Sequence, residues 1–183
     1  SPDLVLTNPT KHGDLADRLM DLGIPAIQCV AETPEAMKEA MLLTGEALGQ
    51  ETASRAQDFA TYYDQMITRI ADATKAIADT DRLRIYFCGS SPLRAVSGDM
   101  YQNLMVDAAG GASVSASLRG YWNNVNIEQI LVWNPDVIII TSYGGLTPQQ
   151  ILEDPDWQTI RAVKSGHVYK MPALAAAWAA PTP

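Results

Sequence analysis

An α/β fold in two halves joined by one long helix is the fold class this sequence predicts, and three observations predict it. The first 30 residues alternate a short apolar strand, an amphipathic helix and a second strand. Residues 51–79 hold a 3-4 apolar spacing without a glycine or proline, which is the pattern of a long amphipathic helix. Beyond it the α/β alternation resumes. There Pro135-Asp136-Val137-Ile138-Ile139, continued by Ile140 and Thr141, echoes Pro2-Asp3-Leu4-Val5-Leu6-Thr7.

Each element follows from local chemistry. "DLVL" at 3–6 is a short buried strand, and the spacing of apolar residues at 15, 16, 19, 20 and 22 predicts a helix over 12–23 that stops at a glycine. "IPAIQCV" at 24–30 is the next strand, so the three pieces form a right-handed βαβ unit on a parallel sheet. Thr33 as N-cap and Pro34 at the first helical position open a helix that runs to about Leu48 and stops at Gly49. The helix expected over 51–79 would span about 43 Å and would suit a rigid connector. After it come a strand at 83–89, a helix at 98–111 ended by Gly110-Gly111, and a weak strand in "ASVSAS". A helix at 126–134 and a central strand at 135–142 follow, then short helices at 147–154 and 156–163 and a last strand at 167–172.

Composition narrows the function classes. With 183 residues, 47% hydrophobic and 19% charged, the chain can bury a real core. A net charge of −8 with 13 scattered lysines and arginines argues against nucleic acid, since phosphate binding needs clustered cations. No apolar run approaches the ~20 residues a membrane helix requires. The chain opens at Ser1 with no methionine and reads as a processed or excised piece. Cys29 and Cys88 sit in apolar, strand-like settings; one disulfide is an option, and two small buried hydrophobes is the favoured reading. Without CxxC, HExxH or a His/Cys cluster, neither a protein-built metal site nor a cofactor is expected.

The pieces "PDLVL", "LGIP", "LGQETASRAQDF", "VDAAGG", "VNIEQILVWNPDVIII" and "AVKSGHVYKMP", taken in this order, carry a resemblance over nearly the whole chain. They resemble the substrate-binding proteins of ABC importers for iron-siderophore, haem, cobalamin and related metal complexes, the class III binding-protein family. The resemblance implies two Rossmann-like three-layer lobes with parallel sheets, joined by a rigid helix, with ligand held in the cleft between them. The lobes would divide as 1–49, the remainder of the N-terminal lobe, 50–80, the connecting helix, and 81–183, the C-terminal lobe. It further implies that elements preceding the "PDLVL" strand and a closing helix are absent. The chain is then a fragment with an incomplete N-lobe, and dimerisation through exposed sheet surface becomes an expectation.

Site residues follow from the strand ends. Open α/β sheets bind ligands beyond the carboxyl ends of their strands, which here carry Asn8, Ser91 and Tyr143, with the "RGYWNN" loop at 119–124 nearby. Arg94, Tyr121, Trp122, Tyr143 and Trp178 suit a bulky, oxygen-rich anionic chelate, with His12 at the cleft wall. Plain packing is the alternative for each aromatic, and a surface arginine the alternative for Arg94. His167 reads as a turn residue. Glu128 has the bland reading of a solvated carboxylate on a helix N-terminus. The resemblance gives it a second one, a surface glutamate that pairs with arginines of the permease.

The expected function is therefore a non-enzymatic solute receptor. Its ligand would be a ferric siderophore, haem, cobalamin or an oxyanion such as molybdate, and its partner an ABC permease. It would be exported to the periplasm or to a membrane-anchored surface, touching the membrane only through the permease or a lipid anchor. An α/β enzyme, chelatase-like or nucleotide-using, and an interaction module are the alternatives.

Overall fold

The computed structural model describes residues 2–29 and 33–172. The chain divides into two compact units within its longest helix, after Met66.

In the first unit, strands β1 (Val5–Thr7) and β2 (Ala26–Gln28) pair in parallel with Val5 opposite Ala26 and Thr7 opposite Gln28. The expected single helix between them is two pieces, α1 (Pro9–His12) and α2 (Leu15–Asp21). Gly13 adopts φ 53°, which ends the first turn and lets the chain restart at Leu15. Helix α3 (Pro34–Ala47) begins as the sequence predicts: the Thr33 hydroxyl accepts the Ala36 N–H at 3.2 Å, and Pro34 supplies the first helical residue. Helix α4 (Gln50–Thr74) follows after Gly49. Ala56 of α4 lies against Gly45 of α3, where an added Cβ would come within 2.7 Å, and Lys38 pairs with Asp64 between the same helices.

The long helix is 25 residues, about 37 Å, rather than the 29 expected. Its end is set by packing. The Thr74 hydroxyl donates to the Ala108 carbonyl at 3.1 Å, and Ile77 packs over Gly110 from beyond the helix end. A 3₁₀ turn, Asp79–Asp81, then leads into the sheet.

The second unit is built on a six-stranded sheet. Strand β3 (Arg84–Cys88) is central and β4 (Arg94–Ala95) returns antiparallel beside its carboxyl end. Helix α5 (Tyr101–Ala108) leads to β5 (Ala112–Ser113), which pairs in parallel with the start of β3. Strand β6 (Asn123–Asn124) pairs antiparallel with β4, and helix α6 (Ile127–Trp133) precedes β7 (Val137–Ile140). Helix α7 (Pro148–Leu152), a 3₁₀ turn at Pro155–Trp157 and α8 (Arg161–Lys164) then lead to β8 (Val168–Lys170). Strands β3, β7 and β8 are mutually parallel neighbours, with Ile85 opposite Val137 and Ile138 opposite Val168.

Both faces of this sheet are covered, so its neighbouring strands β3, beyond Arg84, and β7 are apolar without alternation. Tyr86, Cys88, Ile138 and Ile140 point into one core with Ile130, Ile151, Trp157 and Ile160, whereas Phe87 faces Val96, Met100 and Val106. Ile138 and Ile140 are 0% exposed, which is the burial expected of the "PDVIII" run. Asn126 caps α6 by accepting the Gln129 N–H at 2.9 Å, and Asn134 closes it in the left-handed conformation at φ 41°. The Asn134 Oδ1 then accepts the Arg161 N–H at 2.9 Å, tying the end of α6 to the start of α8. Strands β4 and β6 escaped the sequence pattern because two-residue strands carry no periodicity. The helix expected over 156–163 divides into a 3₁₀ turn and α8, since Trp157 N–H bonds back to Asp154 and Trp157 fills the core. Cys29 and Cys88 are separate free thiols, Cys88 fully buried. No helix among the described residues is long and apolar enough to cross a membrane.

Candidate functional site

The carboxyl ends of β3 and β7 lie side by side, because Cys88 pairs with Ile140 at the last step of the ladder. The loops leaving them, Gly89-Ser90-Ser91 and Ser142-Tyr143-Gly144, therefore emerge as neighbours. The strand β4 brings Arg94 to the same edge, and its pairing with β6 places Arg94 opposite Asn124, two residues beyond Trp122.

Three side chains meet there. The Arg94 guanidinium lies 5.4 Å from the centre of the Trp122 ring, a cation–π geometry. Tyr143 approaches the same indole edge-on, with centroids 6.3 Å apart and planes at 89°. Trp122 rests on Gly89, where a Cβ would come within 2.9 Å of the ring; any larger residue there would displace the indole. Gly144 is pressed as closely against Ser90, with only 2.6 Å between its virtual Cβ and the serine Cβ.

The loop bearing Tyr121 and Trp122 is held by its own polar network. The buried Ser97 hydroxyl donates to the Gly120 carbonyl, and Asp99 accepts the Gly120 N–H at 2.7 Å. The Asn123 amide donates to the carbonyls of Arg119 and Tyr121. Trp122 is thus preorganised and half-buried, while Tyr121 projects 45% exposed with its ring in none of these contacts.

The electrostatics of the edge single out Arg94. In this unit Arg82 pairs with Asp79 and Asp107, Arg119 faces Asp99, Arg161 pairs with Asp136, and Arg84 donates to the Trp133 carbonyl. Among the described residues no carboxylate or carbonyl meets the Arg94 side chain. It is an exposed, unneutralised cation in a chain of net charge −8. Burial pushes the Tyr143 phenol above its ordinary value, while a hydrogen bond from Thr141 and the nearby Arg94 charge pull in the opposite direction. Tyr143 therefore stays a neutral hydrogen-bond donor beside a cation. Ser142 Oγ is buried beside it with no hydrogen-bond partner among the described residues.

Of the residues expected at the site, Arg94, Trp122 and Tyr143 come together, and Ser91 borders them, its carbonyl accepting the Arg94 N–H at 3.1 Å. Asn8 and His12 belong to the first unit, at the carboxyl end of β1, where His12 Nδ1 accepts the Asn8 N–H at 2.9 Å. Trp178 lies outside the described residues. His167 is exposed and stacks on Tyr169 at 6.4 Å, away from these loops.

Glu128 is exposed on the first turn of α6. The last turn of that helix lies at the amino edge of the sheet, where the Trp133 carbonyl accepts from Arg84 at 2.7 Å. Running back against β7, α6 therefore presents Glu128 toward the carboxyl edge. Two contributors escaped the sequence reading. Ser90 lies at a strand end that the sequence does mark, but its packing against Gly144 is tertiary, and Lys170 reaches this edge only because β8 lies beside β7.

A hollow between α3 and α4 in the first unit, lined by Met41, Ala56 and Phe59, is apolar and has only Thr44, Thr52 and Arg55 as polar neighbours. It lacks the convergent groups that would give it chemistry.

Similarity to known proteins runs over this whole frame. The chain is 27% identical to the molybdate-binding protein MolA of Haemophilus influenzae, over all of this chain and 57% of that protein. The structure of MolA bound to molybdate superimposes with a TM-score of 0.84 at 24% identity, covering 100% of this chain and 61% of that one. A periplasmic solute-binding protein from Veillonella parvula gives a TM-score of 0.76 at 25% identity, over 94% of this chain and 52% of that one. The vitamin B12-binding protein BtuF of Vibrio cholerae shares the fold at 18% identity and a TM-score of 0.75, over 100% of this chain and 69% of that one. The chain thus spans a little over half the length of its curated relative. The sequence pattern that defines periplasmic binding proteins matches residues 1–175, and with the α/β fold above it places the chain in the periplasmic binding protein family.

Proposed function

We propose that this chain serves as the solute-binding receptor of an ABC importer, taking up an anionic, oxygen-rich metal complex or oxyanion and presenting it to a membrane permease. The observation that carries the reading is the unneutralised Arg94 guanidinium stacked on Trp122 beside the neutral Tyr143 hydroxyl, at the carboxyl edge where open α/β sheets hold ligands. A planar cation with free donors matches the oxygens of an anion bidentately, and the aromatic pair offers flat faces to a chelate. Molybdate, a ferric siderophore, haem and cobalamin are the candidate ligands; the molybdate-binding relative favours testing molybdate first. Asn8, His12, Ser91, Tyr121 and Trp178 are the further residues assigned to ligand binding.

The lobes are assigned to 1–49 and 81–183, with 50–80 as the connector, and Glu128 is assigned to contact arginines of the permease. The receptor works outside the cytoplasmic membrane, in the periplasm or tethered to the surface. It performs no chemistry on its ligand.

Thermal shift and tryptophan fluorescence titrations with sodium molybdate, a ferric siderophore, haem and cobalamin test this. Saturable stabilisation by one of them supports the receptor. No response to any, together with turnover of a nucleotide or insertion of a metal into a porphyrin, would establish an enzyme instead.

A further inference from the structure

Granting the ligand role proposed above for Tyr143, we infer that Lys170 is the positioning residue that sets the Tyr143 loop, and through it the affinity of the site. Lys170 ends β8 and pairs with Ile140, the last residue of β7 before that loop. From there its ammonium donates to the Gly144 carbonyl at 2.9 Å and to the Leu146 carbonyl at 2.8 Å. These two carbonyls bracket the turn that returns the chain from Tyr143 to α7.

The loop is held from both sides. Lys170 ties it to the end of β8, Gly144 rests on Ser90 at the end of β3, and the Thr141 N–H bonds to the Cys88 carbonyl at 3.1 Å. With backbone fixed on either side of it, Tyr143 has its ring directed edge-on to Trp122. No carboxylate pairs with Lys170 among the described residues, so both of these hydrogen bonds from its ammonium go to this one loop. Charge-assisted bonds to buried or half-buried carbonyls are stronger than neutral ones, and a loop without them gains conformations that the ligand must then exclude. The neighbouring strand, not the loop's own sequence, thus supplies the rigidity.

The test uses Lys170→Met, which keeps the aliphatic stem and removes the charge, and Lys170→Arg, which can restore donors to both carbonyls, each in the full chain. Two readouts are taken. The indole N–H resonance of Trp122, assigned with Trp122→Phe, reports the ring pair in the absence of ligand, and titration with sodium molybdate and a ferric siderophore reports affinity. In Lys170→Met the Trp122 resonance shifts or broadens while those of Trp133 and Trp157 stay in place, Lys170→Arg returns it toward the parent position, and affinity falls roughly ten-fold. An unchanged Trp122 resonance in Lys170→Met overturns the inference, as does a shift of the Trp122, Trp133 and Trp157 indoles together that Lys170→Arg does not reverse. Should the parent chain bind neither probe, nor haem nor cobalamin, the receptor reading fails, and the indole resonance still decides whether Lys170 sets the loop. If Lys170→Met does not fold, Lys170→Gln in the same measurement replaces it.

Discussion

Replacing Arg94 with glutamine separates binding from stability more cleanly than any other change at this edge. The Arg94 main chain makes its bonds independently of the side chain: its N–H donates to the Ser91 carbonyl at 3.1 Å and its carbonyl accepts from Gly89 at 2.8 Å. The side chain is exposed, has no ion pair among the described residues, and touches the indole of Trp122 at 5.4 Å. An exposed cation–π contact contributes about 0.5–1 kcal/mol, so urea unfolding of Arg94→Gln should differ from the parent by no more than about 1 kcal/mol. The loss to a bound anion is larger. A charge-assisted hydrogen bond is worth roughly 1.5–3 kcal/mol, which converts to a ten- to hundred-fold weaker Kd for molybdate or a ferric siderophore by calorimetry or tryptophan fluorescence. Arg94→Lys should fall between the two, because an ammonium keeps the charge and loses the planar fork. Unchanged affinity in Arg94→Gln would refute the assignment of this guanidinium to the ligand. A stability loss of several kcal/mol would show that Arg94 is a structural residue.

Three further outcomes follow from the same geometry. Glu128→Arg should leave ligand affinity and unfolding unchanged while impairing uptake by cells carrying the permease; abolished ligand binding would show that Glu128 is not a docking residue. Asn134→Ala should cost about 2 kcal/mol in urea unfolding, combining left-handed strain at φ 41° with the lost bond to the Arg161 N–H, and Asn134→Gly should recover only the backbone share. Cys88 should resist thiol reagents in the native chain while Cys29, half-exposed, reacts, because burial pushes the Cys88 thiol from its ordinary 9.0 up to about 12. The unfolded chain gives up that proton first, so the stability due to Cys88 is complete below about pH 9 and is lost as pH rises toward 12. Chemical unfolding repeated along this pH series, with Cys88→Ala as the reference, measures that limb; a limb unchanged in Cys88→Ala would assign it to other groups such as the buried Tyr86, whose phenol burial also pushes upward.

Much of the fold was legible because its signals are local. Thr33-Pro34 and the "VIII" run determine a cap and a strand through side-chain chemistry within a few residues, and each appears where expected. The misses share a cause. The long helix stops at Thr74 because Thr74 and Ile77 dock on the end of α5, more than thirty residues away in sequence. Strands β4 and β6 exist only by pairing with each other and with β3, as two residues have no pattern of their own.

The site divides along the same line. From residue types and strand ends alone, the sequence determined that Arg94, Trp122 and Tyr143 stand at the carboxyl edge of a parallel sheet, since each follows a strand or sits in a loop beside one. It also determined which carboxylate opens α6. Only the tertiary structure decided that these three side chains share one surface, that Arg94 goes without the carboxylates that Arg82, Arg119 and Arg161 have found, and that the Lys170 ammonium reaches the Gly144 and Leu146 carbonyls. Residue identity sets what a side chain can bond. Whether it has bonded already depends on which strand lies beside it, and that is a property of the folded sheet.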